Sequence, residues 1–194
     1  MDRIEDIYQK ALTLFMERGY DNTPLSLVAK ETGLSKGGIY HYFESKEHLL
    51  FLIHRHQIQR TLDPILERAE QEPDPERRLA EFFHDYVAMA TKDQTTQMVI
   101  HEAKRLQPEH YREIQQSWRR VVDMVSGAIR ELKERGQVSR EINTTFATFG
   151  AIGMCVWTSY WFDPARPESA GELARTLAHI FIAGLKAQPE LAGQ

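Results

Sequence analysis

The stretch Thr23–Leu50, TPLSLVAKETGLSKGGIYHYFESKEHLL, decides the fold of this chain. Thr23 is expected to cap a short helix that has Pro24 at its first position, where proline is best tolerated. Gly33 then ends that helix, and Lys36–Tyr42 form the next one. Two short helices joined by a tight glycine turn predict a helix-turn-helix, whose second helix enters the major groove of DNA.

Amphipathic helices are predicted on both sides of this motif. Arg3–Arg18 places its apolar residues on one face, and Gly19 ends the helix. Ser45 caps a longer helix that should run to about residue 61, where Pro64 forces a kink or a restart. The first helix and the two short ones are expected to form a three-helix unit closed by Ile39 and Phe43.

The remainder of the chain also has helical periodicity, with Asp74 and Asn143 as helix caps. The predicted helices are Pro75–Lys92, Thr95–Leu106, a long helix from Pro108 to the glycine of LKERG, Asn143–Phe162 and Ala170–Ala187. No internal repeat and no alternating strand pattern occurs. The sequence therefore predicts an all-α fold.

The composition is that of an ordinary globular protein. The chain has 194 residues, 42% of them hydrophobic and 27% charged, and a net charge of −4. This balance argues against a protein that coats nucleic acid, because non-specific affinity scales with the phosphates neutralised. A single cysteine and an N-terminus without an apolar signal region indicate a reducing cytoplasm.

Two runs, GLSKGGIYHYFESKEHLL and the preceding ALTLFMERGYDNTPLSLVAKETG, resemble the signature of TetR-family transcriptional regulators. The resemblance implies a helix-turn-helix DNA-binding domain at residues 1–46. It also implies a helical bundle for ligand binding and dimerisation at residues 47–194. Such a protein is expected to be a homodimeric repressor that binds a palindromic double-stranded operator and dimerises through its last two helices.

The resemblance implies DNA contacts position by position. Hydroxyl groups and cations are expected to meet phosphates, and the start of the second short helix is expected to face the groove. The positions are Thr23, Ser26, Lys36, Gly37, Gly38, Tyr40, His41, Tyr42 and Lys46. The Gly37-Gly38 pair departs from a common family pattern with a small side chain at the second position, which favours close backbone approach and readout of DNA shape. Packing of Tyr42 on the first helix and a solvated Lys46 are the alternatives.

The run 146–162 contains no charged residue, and three interpretations compete. It is at the lower limit of length for a membrane span and lacks flanking cations, so no membrane segment is expected. Ala147, Gly150, Ala151 and Gly153 leave a smooth patch for a helix of a second copy, against the alternative of intrachain core.

The opposite face of the same run is expected to look back toward aromatic residues of other helices and to line an apolar effector cavity. The predicted ligand-binding residues are Phe83, Tyr86, Val87, Arg105, Trp118, Val122, Met154, Trp157, Thr158 and Trp161. A fully packed core is the alternative interpretation.

The segments ERGQVSREIN and GMCVWTSYWFDPARPESAGELARTLAHIFIAGL resemble the acyl-CoA-responsive branch of the TetR family. This resemblance implies a thioester of a fatty or aromatic acid as the effector. Cations at Lys104, Arg105, Arg119 and Arg120 are candidates for the CoA phosphates, or else form a solvated face. A free hydrophobic drug or aromatic compound, sensed by a regulator of multidrug efflux, is the alternative effector.

The patterns GxGxxG, GxxxxGK[ST] and HExxH do not occur in the sequence. The run GLSKG at residues 33–37 matches GxSxG, but it joins two predicted short helices and does not follow a strand, as a nucleophile elbow would. His54 and His56 are two residues apart and point to different sides of a helix, so no metal is expected. Cys155 is expected to be a buried thiol. No cofactor is predicted, and an enzyme, a helical carrier or a structural adaptor is the less favoured class.

Overall fold

The computed structural model describes residues 3–92, 99, 101–163 and 169–186, and these residues form helices and no strand. The helices are α1 (Arg3–Arg18), α2 (Leu25–Glu31), α3 (Lys36–Tyr42), α4 (Lys46–Gln57), α5 (Asp63–Gln71), α6 (Pro75–Lys92), α7 (Pro108–Glu134), α8 (Thr144–Trp161) and α9 (Ala170–Lys186). A π-helical turn at Ile58–Leu62 and a 3-10 turn at Ala103–Arg105 complete them. The predicted all-α fold class is confirmed.

Two compact units divide the chain. The first comprises residues 1–58 and 95–115, and the second comprises residues 59–94 and 116–194. The 3-10 turn and the start of α7 therefore belong to the same unit as the helix-turn-helix. The predicted DNA-binding domain at residues 1–46 and the predicted ligand-binding and dimerisation domain at residues 47–194 stay predictions.

The first unit has a core to which each of its four leading helices contributes. The buried side chains include Ile7, Leu12 and Phe15 of α1, Leu25 and Val28 of α2, Ile39 of α3, Phe43, and Leu49, Leu50 and Ile53 of α4. Ile39 and Phe43 are buried as predicted. Burial of each such side chain stabilises the unit by roughly 1.5–3 kcal/mol before the entropy cost is counted.

The turn between α2 and α3 has the predicted glycine chemistry. Gly33 has a φ of +68°, a conformation that side chains with a Cβ rarely adopt. Its neighbour Leu34 donates its N–H to the carbonyl of Ala29 at 2.8 Å, and the side chain of Ser35 accepts from the N–H of Gly38 at 3.0 Å. The turn therefore satisfies the end of one helix and the start of the next.

The predicted cap at the start of α2 is wrong. The helix begins at Leu25, with Pro24 before it, and no side chain caps it. Thr23 is buried, and its hydroxyl donates to the carbonyl oxygens of Leu14 at 3.3 Å and Gly19 at 3.0 Å. The threonine serves the end of α1 instead, because those carbonyls are closer partners than the amides of α2.

The other predicted caps are present. The side chain of Ser45 accepts from the N–H of His48 at 2.9 Å, and Asn143 accepts from the N–H of Phe146 at 3.1 Å. Asp74 accepts from two amides at the start of α6. The predicted helix Thr95–Leu106 is described in part: residues 99, 101 and 102 are helical and Ala103–Arg105 form a 3-10 turn, whereas residues 95–98 and 100 lie outside the described ranges.

In the second unit α6 is the central helix and packs against α5, α8 and α9. Leu79, Phe82, Phe83, Tyr86 and Val87 of this helix are fully buried. An ion pair of 2.6 Å between Arg78 and Glu131 joins α6 to α7. Among the helices of the described ranges, α8 included, none is long and apolar enough to cross a membrane.

Candidate DNA-binding surface and effector core

The helix α3 presents almost all of its side chains to solvent. Ile39 is its one buried residue, whereas Tyr40 is 49% exposed and Tyr42 is 38% exposed. Lys36 and His41 are exposed as well. A helix anchored by one isoleucine, with a cation and two phenol hydroxyls on its outer side, is suited to contact phosphates and base edges.

Tyr42 lies at the edge of the aromatic cluster beneath α3. Its ring centroid is 6.0 Å from that of Phe43 and 5.9 Å from that of His41. Both rings belong to chain neighbours and neither lies in α1, so packing of Tyr42 on the first helix and its contact with DNA both stay predictions.

The glycines of α3 differ in the space around them. A Cβ added to Gly37 would meet nothing within 4 Å, whereas one added to Gly38 would lie 3.2 Å from the side-chain oxygen of Ser35. Gly38 therefore makes room for the Ser35 cap. Among the described residues, no packing contact requires glycine at position 37, and close approach of its backbone to DNA stays a prediction.

The flanking predicted contacts are placed differently from one another. Ser26 is exposed, but the hydroxyl of Thr23 is buried and is already bonded to the end of α1. The ammonium of Lys46 donates to the carbonyl oxygens of Tyr20 at 2.8 Å and Asp21 at 3.3 Å. A phosphate contact by Lys46 requires that these bonds be shared or exchanged.

Three predicted ligand residues lie together on the buried face of α6. Phe83, Tyr86 and Val87 are fully buried, and the Phe83 ring is 5.4 Å from that of Phe181 of α9. The hydroxyl of Tyr86 has no hydrogen-bond partner in the described part of the chain. An unpartnered buried hydroxyl is uncommon and costs about 1–3 kcal/mol, so it marks this core as a candidate effector site.

Cys155 and Thr158 of α8 are also buried in this unit. Burial raises the pKa of the Tyr86 hydroxyl, and the nearby Cys155 thiol raises it further. Burial likewise raises the pKa of Cys155, so both groups are neutral at physiological pH. The Thr158 hydroxyl donates to the Cys155 carbonyl at 2.6 Å and is therefore already bonded, whereas the Tyr86 hydroxyl has no partner among the described residues.

The predicted orientation of two α8 tryptophans is wrong. Trp157 is 63% exposed and Trp161 is 52% exposed, so neither faces the core around Tyr86. Met154 is half-buried, and Ala151, which was expected on the outer patch, is fully buried. The buried side of α8 consists of Thr148, Ala151, Cys155 and Thr158. The helix is therefore rotated about its axis relative to the predicted orientation.

The exposed side of α8 is a continuous apolar face. It consists of Phe146, Phe149, Gly150, Gly153, Trp157, Tyr160 and Trp161, and Ile180 is an exposed apolar residue of α9. The rings of Trp157 and Tyr160 stack at 5.3 Å. Large exposed apolar patches of this kind mark interaction surfaces.

The remaining predicted ligand residues are dispersed. Trp118 and Val122 are half-buried on α7 in the second unit, whereas Arg105 belongs to the first unit. Arg105 forms ion pairs with Asp21 at 2.7 Å and Glu102 at 2.6 Å. Of the other cations considered for CoA, Arg120 pairs with Asp63 at 2.6 Å, and Lys104 and Arg119 are exposed.

Metal-binding geometry is not found where the structure can be described. No group of three or more His, Cys, Asp or Glu side chains in those ranges is arranged to hold a metal ion.

The first unit contains a helix-turn-helix whose second helix, α3, is exposed. The same chain also contains a helical bundle. This combination defines the class of helix-turn-helix DNA-binding regulators.

Comparison with known families identifies which regulators these are. Residues 7–53 match the bacterial regulatory proteins of the tetR family, and residues 72–185 match the tetracyclin repressor-like C-terminal domain. The chain belongs to the TetR family of transcriptional regulators, which are DNA-binding proteins and not enzymes. The TetR resemblance of the sequence is thereby confirmed.

Two relatives illustrate the likeness in sequence. The chain is 20% identical over 183 residues to the fatty acid metabolism regulator protein of Bacillus subtilis (strain 168), covering 92% of this chain and 93% of that protein. It is 42% identical over 43 residues to IcaR, a negative transcriptional regulator of the biofilm operon icaADBC in Staphylococcus aureus (strain Newman). That second match covers 22% of this chain and 23% of IcaR.

A solved structure shows the same fold. The crystal structure of AibR in complex with isovaleryl coenzyme A and operator DNA superposes with a TM-score of 0.83. The match covers 92% of this chain and 97% of that chain at 24% sequence identity. The likeness therefore establishes the fold.

Proposed function

We propose that this chain is a ligand-responsive transcriptional repressor that binds a palindromic operator as a homodimer and senses an acyl-CoA or another hydrophobic small molecule. The observation that carries the proposal is the exposure of α3, whose Lys36, Tyr40 and Tyr42 lie outside while Ile39 alone is buried. One buried apolar side chain, that of Ile39, anchors α3, and the remaining surface of the helix is available to DNA.

Dimerisation is supported by the apolar face of α8. Phe146, Phe149, Trp157 and Trp161 are each more than half exposed, which is costly for a monomer in water. Glycines at 150 and 153 on the same face allow the backbone of a second helix to come close. A two-fold pair of α8 and α9 helices would bury these residues in an isologous interface.

The dimer gives the repressor its operator geometry. In a two-fold dimer the two copies of α3 read half-sites about 34–36 Å apart, or one turn of DNA. Repression, and not activation, is supported by the relative IcaR, which is a negative regulator. The net charge of −4 agrees with a protein that needs two copies of α3 for useful affinity.

The effector is proposed to bind in the second unit, around the buried hydroxyl of Tyr86 beside Phe83 and Val87. An acyl-CoA is favoured because a relative of matching length regulates fatty acid metabolism and because AibR binds isovaleryl coenzyme A. The effector must bind two states of the dimer with different affinities, since equal affinity would leave operator binding unchanged.

The alternative effector is a free hydrophobic or aromatic compound, as sensed by regulators of multidrug efflux. The surroundings of Tyr86, which include the apolar side chains of Phe83 and Val87 and the neutral Cys155 thiol, are equally compatible with such a compound. Isovaleryl-CoA, stearoyl-CoA and the two corresponding free acids separate these possibilities when each is titrated into the purified dimer. The acyl-CoA proposal requires that the thioesters bind and that the free acids compete poorly.

The test of the whole proposal starts with selection of duplexes from a random library by the purified chain. The expected result is a palindromic sequence bound by two copies, with an affinity that changes when stearoyl-CoA or isovaleryl-CoA is added. Failure to enrich any duplex would contradict the DNA-binding proposal. Enrichment without any response to these compounds would leave the repressor but reject an acyl-CoA effector.

A further inference from the structure

The turn after α1 is held by side chains from two distant parts of the chain. Gly19, with a φ of +79°, reverses the chain, and Tyr20 folds back so that its ring lies 5.1 Å from that of Phe15. The turn leads directly into α2, the first helix of the DNA-binding motif. Its position therefore affects where α2 and α3 lie within the first unit.

Two cations flank the ring of Tyr20. The ammonium of Lys46 is 4.2 Å from the ring centroid, and the guanidinium carbon of Arg105 is 5.5 Å from it. Both distances are within the range of favourable cation–π contacts. Burial, and next the carboxylate of Glu47, raise the pKa of Tyr20 to about 12, so the ring stays a neutral phenol beside the two cations.

Acidic groups on either side fix Arg105 in this position. Its Nη1 is 2.7 Å from the Asp21 carboxylate, and its Nε is 2.6 Å from that of Glu102. Arg105 thus joins the 3-10 turn before α7 to the turn after α1, over 84 positions of sequence. All these groups belong to the first compact unit.

A second set of contacts joins the start of α7 to α4. The Glu47 carboxylate accepts the N–H of Gln107 at 2.8 Å and lies 2.9 Å from Nδ1 of His110. The His110 ring stacks on Phe51 at 3.9 Å between centroids. Residues 102–110 therefore brace both the turn before α2 and the start of α4.

We infer that Arg105 is a positioning residue for DNA binding, which holds the Tyr20–Asp21 turn and the ammonium of Lys46 in place without touching DNA itself. This assignment rests on the proposed DNA-binding function and replaces the interpretation of Arg105 as a CoA phosphate ligand. The reason is that its Nε and Nη1 donors already face carboxylates and its flat side faces Tyr20.

The assignment explains how Lys46 serves the motif. Its ammonium bonds to the carbonyls of Tyr20 and Asp21, and burial lowers its pKa. The carboxylate of Asp21, shared with Arg105, favours the charged form of Lys46. Release of Arg105 would leave Asp21 without that ion pair and would loosen the turn that leads into α2.

The test uses the full-length protein and a duplex that the unaltered protein selects from a random library. Arg105→Gln should weaken binding of that duplex about tenfold, because one ion-pair network and one cation–π contact are lost. Asp21→Asn should weaken it about threefold, and the double variant should be no weaker than Arg105→Gln alone. Arg105→Lys, which keeps the charge, should restore most of the affinity.

Three readouts separate positioning from direct contact. The slope of log affinity against log salt should be unchanged in Arg105→Gln, since no phosphate contact is removed. The affinity for stearoyl-CoA should also be unchanged. Amide exchange at Thr23, whose N–H donates to Tyr20 at 3.2 Å, should become faster in the protein alone. Arg112 is exposed, so Arg112→Gln is the matched control and should change none of the three readouts.

Several results would overturn the inference. These are an unchanged affinity for the duplex, a shallower salt slope, or a loss confined to stearoyl-CoA binding. Selection of no duplex by the unaltered protein would instead reject the proposed function, and the inference would fall with it. Exchange at Thr23 tells the two failures apart, because it reports the turn whether or not DNA binds.

Discussion

Each of the two compact units exposes a group of aromatic side chains on one helix, but the surroundings of these two groups differ. On α3 the exposed rings are Tyr40 and Tyr42, which carry hydroxyls and lie beside Lys36 and His41. On α8 the exposed rings belong to phenylalanines and tryptophans, with a single tyrosine and no charged residue nearby in the helix. Rings with hydrogen-bonding groups fit a hydrated polyanion, whereas a charge-free face fits another protein surface.

The units also differ in the hydrogen bonding of one buried polar side chain in each. The first buries the imidazole of His54, whose two nitrogens lie 2.8 Å and 2.6 Å from the carbonyl oxygens of Leu50 and Val99. The second buries the Tyr86 hydroxyl, which has no partner among the described residues. A neutral imidazole has one N–H, so His54 can donate to only one of these two carbonyls, which ties it to the backbone of the first unit. That unit also buries Nε2 of His56 without a hydrogen-bond partner among the described residues, so the unpartnered Tyr86 hydroxyl supports a ligand only together with the buried Phe83 and Val87 beside it.

The largest effect is expected when a charged residue is placed on the exposed apolar face of α8. Trp157→Glu is expected to weaken dimerisation at least hundredfold, because an unpaired carboxylate buried in the interface costs roughly 3–5 kcal/mol. Sedimentation equilibrium should show a monomer, and binding of the selected palindrome should be lost with it. Ala88→Glu, at an exposed position of α6, is the control. A Trp157→Glu protein that remains a dimer would contradict the assignment of this face.

Lys36→Ala tests whether the polar face of α3 contacts DNA phosphates. Operator affinity at about 0.1 M salt should fall by roughly tenfold, since each copy loses one phosphate contact. The slope of log affinity against log salt should become shallower by about two for the dimer. Arg130 is exposed on α7 in the second unit, so Arg130→Ala should leave the slope unchanged. An unaltered slope for Lys36→Ala would mean that this lysine does not meet a phosphate.

The buried group of the second unit is tested by Tyr86→Phe. Removal of the unsatisfied hydroxyl should raise the free energy of unfolding of the protein alone by about 1 kcal/mol. Affinity for stearoyl-CoA, used as a probe of the proposed effector site, should fall by about fivefold, because the ligand loses a hydrogen bond. Chemical denaturation and calorimetric titration measure the two effects. A variant that is less stable, with unchanged ligand affinity, would show that the hydroxyl has a partner of its own in the fold.

The buried histidine of the first unit predicts the smallest effect. Burial lowers the pKa of His54 below its ordinary value of about 6.5, so the unfolded chain binds a proton more readily than the folded one. Stability should therefore be full above about pH 6.5 and should fall as the pH decreases below it. Melting temperatures between pH 8 and 5.5 should show a shallower dependence in His54→Gln, and identical slopes would remove His54 as the cause.

Much of the first unit follows from its sequence. The glycine turn at Gly33, the caps at Ser35 and Ser45 and the burial of Ile39 all depend on local chemistry, which short segments specify. The cap at Thr23 was wrong because its hydroxyl bonds to Leu14 and Gly19, and no local signal distinguishes those carbonyls from the amides of α2.

The second unit shows where sequence reasoning ends. A helix with no charged residue has no polar side that fixes its rotation, so Trp157 and Trp161 were assigned to the wrong face of α8. The contacts of Arg105 were missed for a different reason. Its partner Asp21 is 84 positions away, and nothing in either neighbourhood announces the pairing.

The most direct test of the account is hydroxyl-radical footprinting of the exposed aromatic residues, read by mass spectrometry with and without the selected duplex. The account predicts that Tyr40 and Tyr42 react in the protein alone and become protected by DNA. Trp157 and Trp161 should be unreactive in both samples, because the dimer already covers them. Protection of the tryptophans by DNA, with tyrosines that react equally in both samples, would contradict the assignment of the two surfaces.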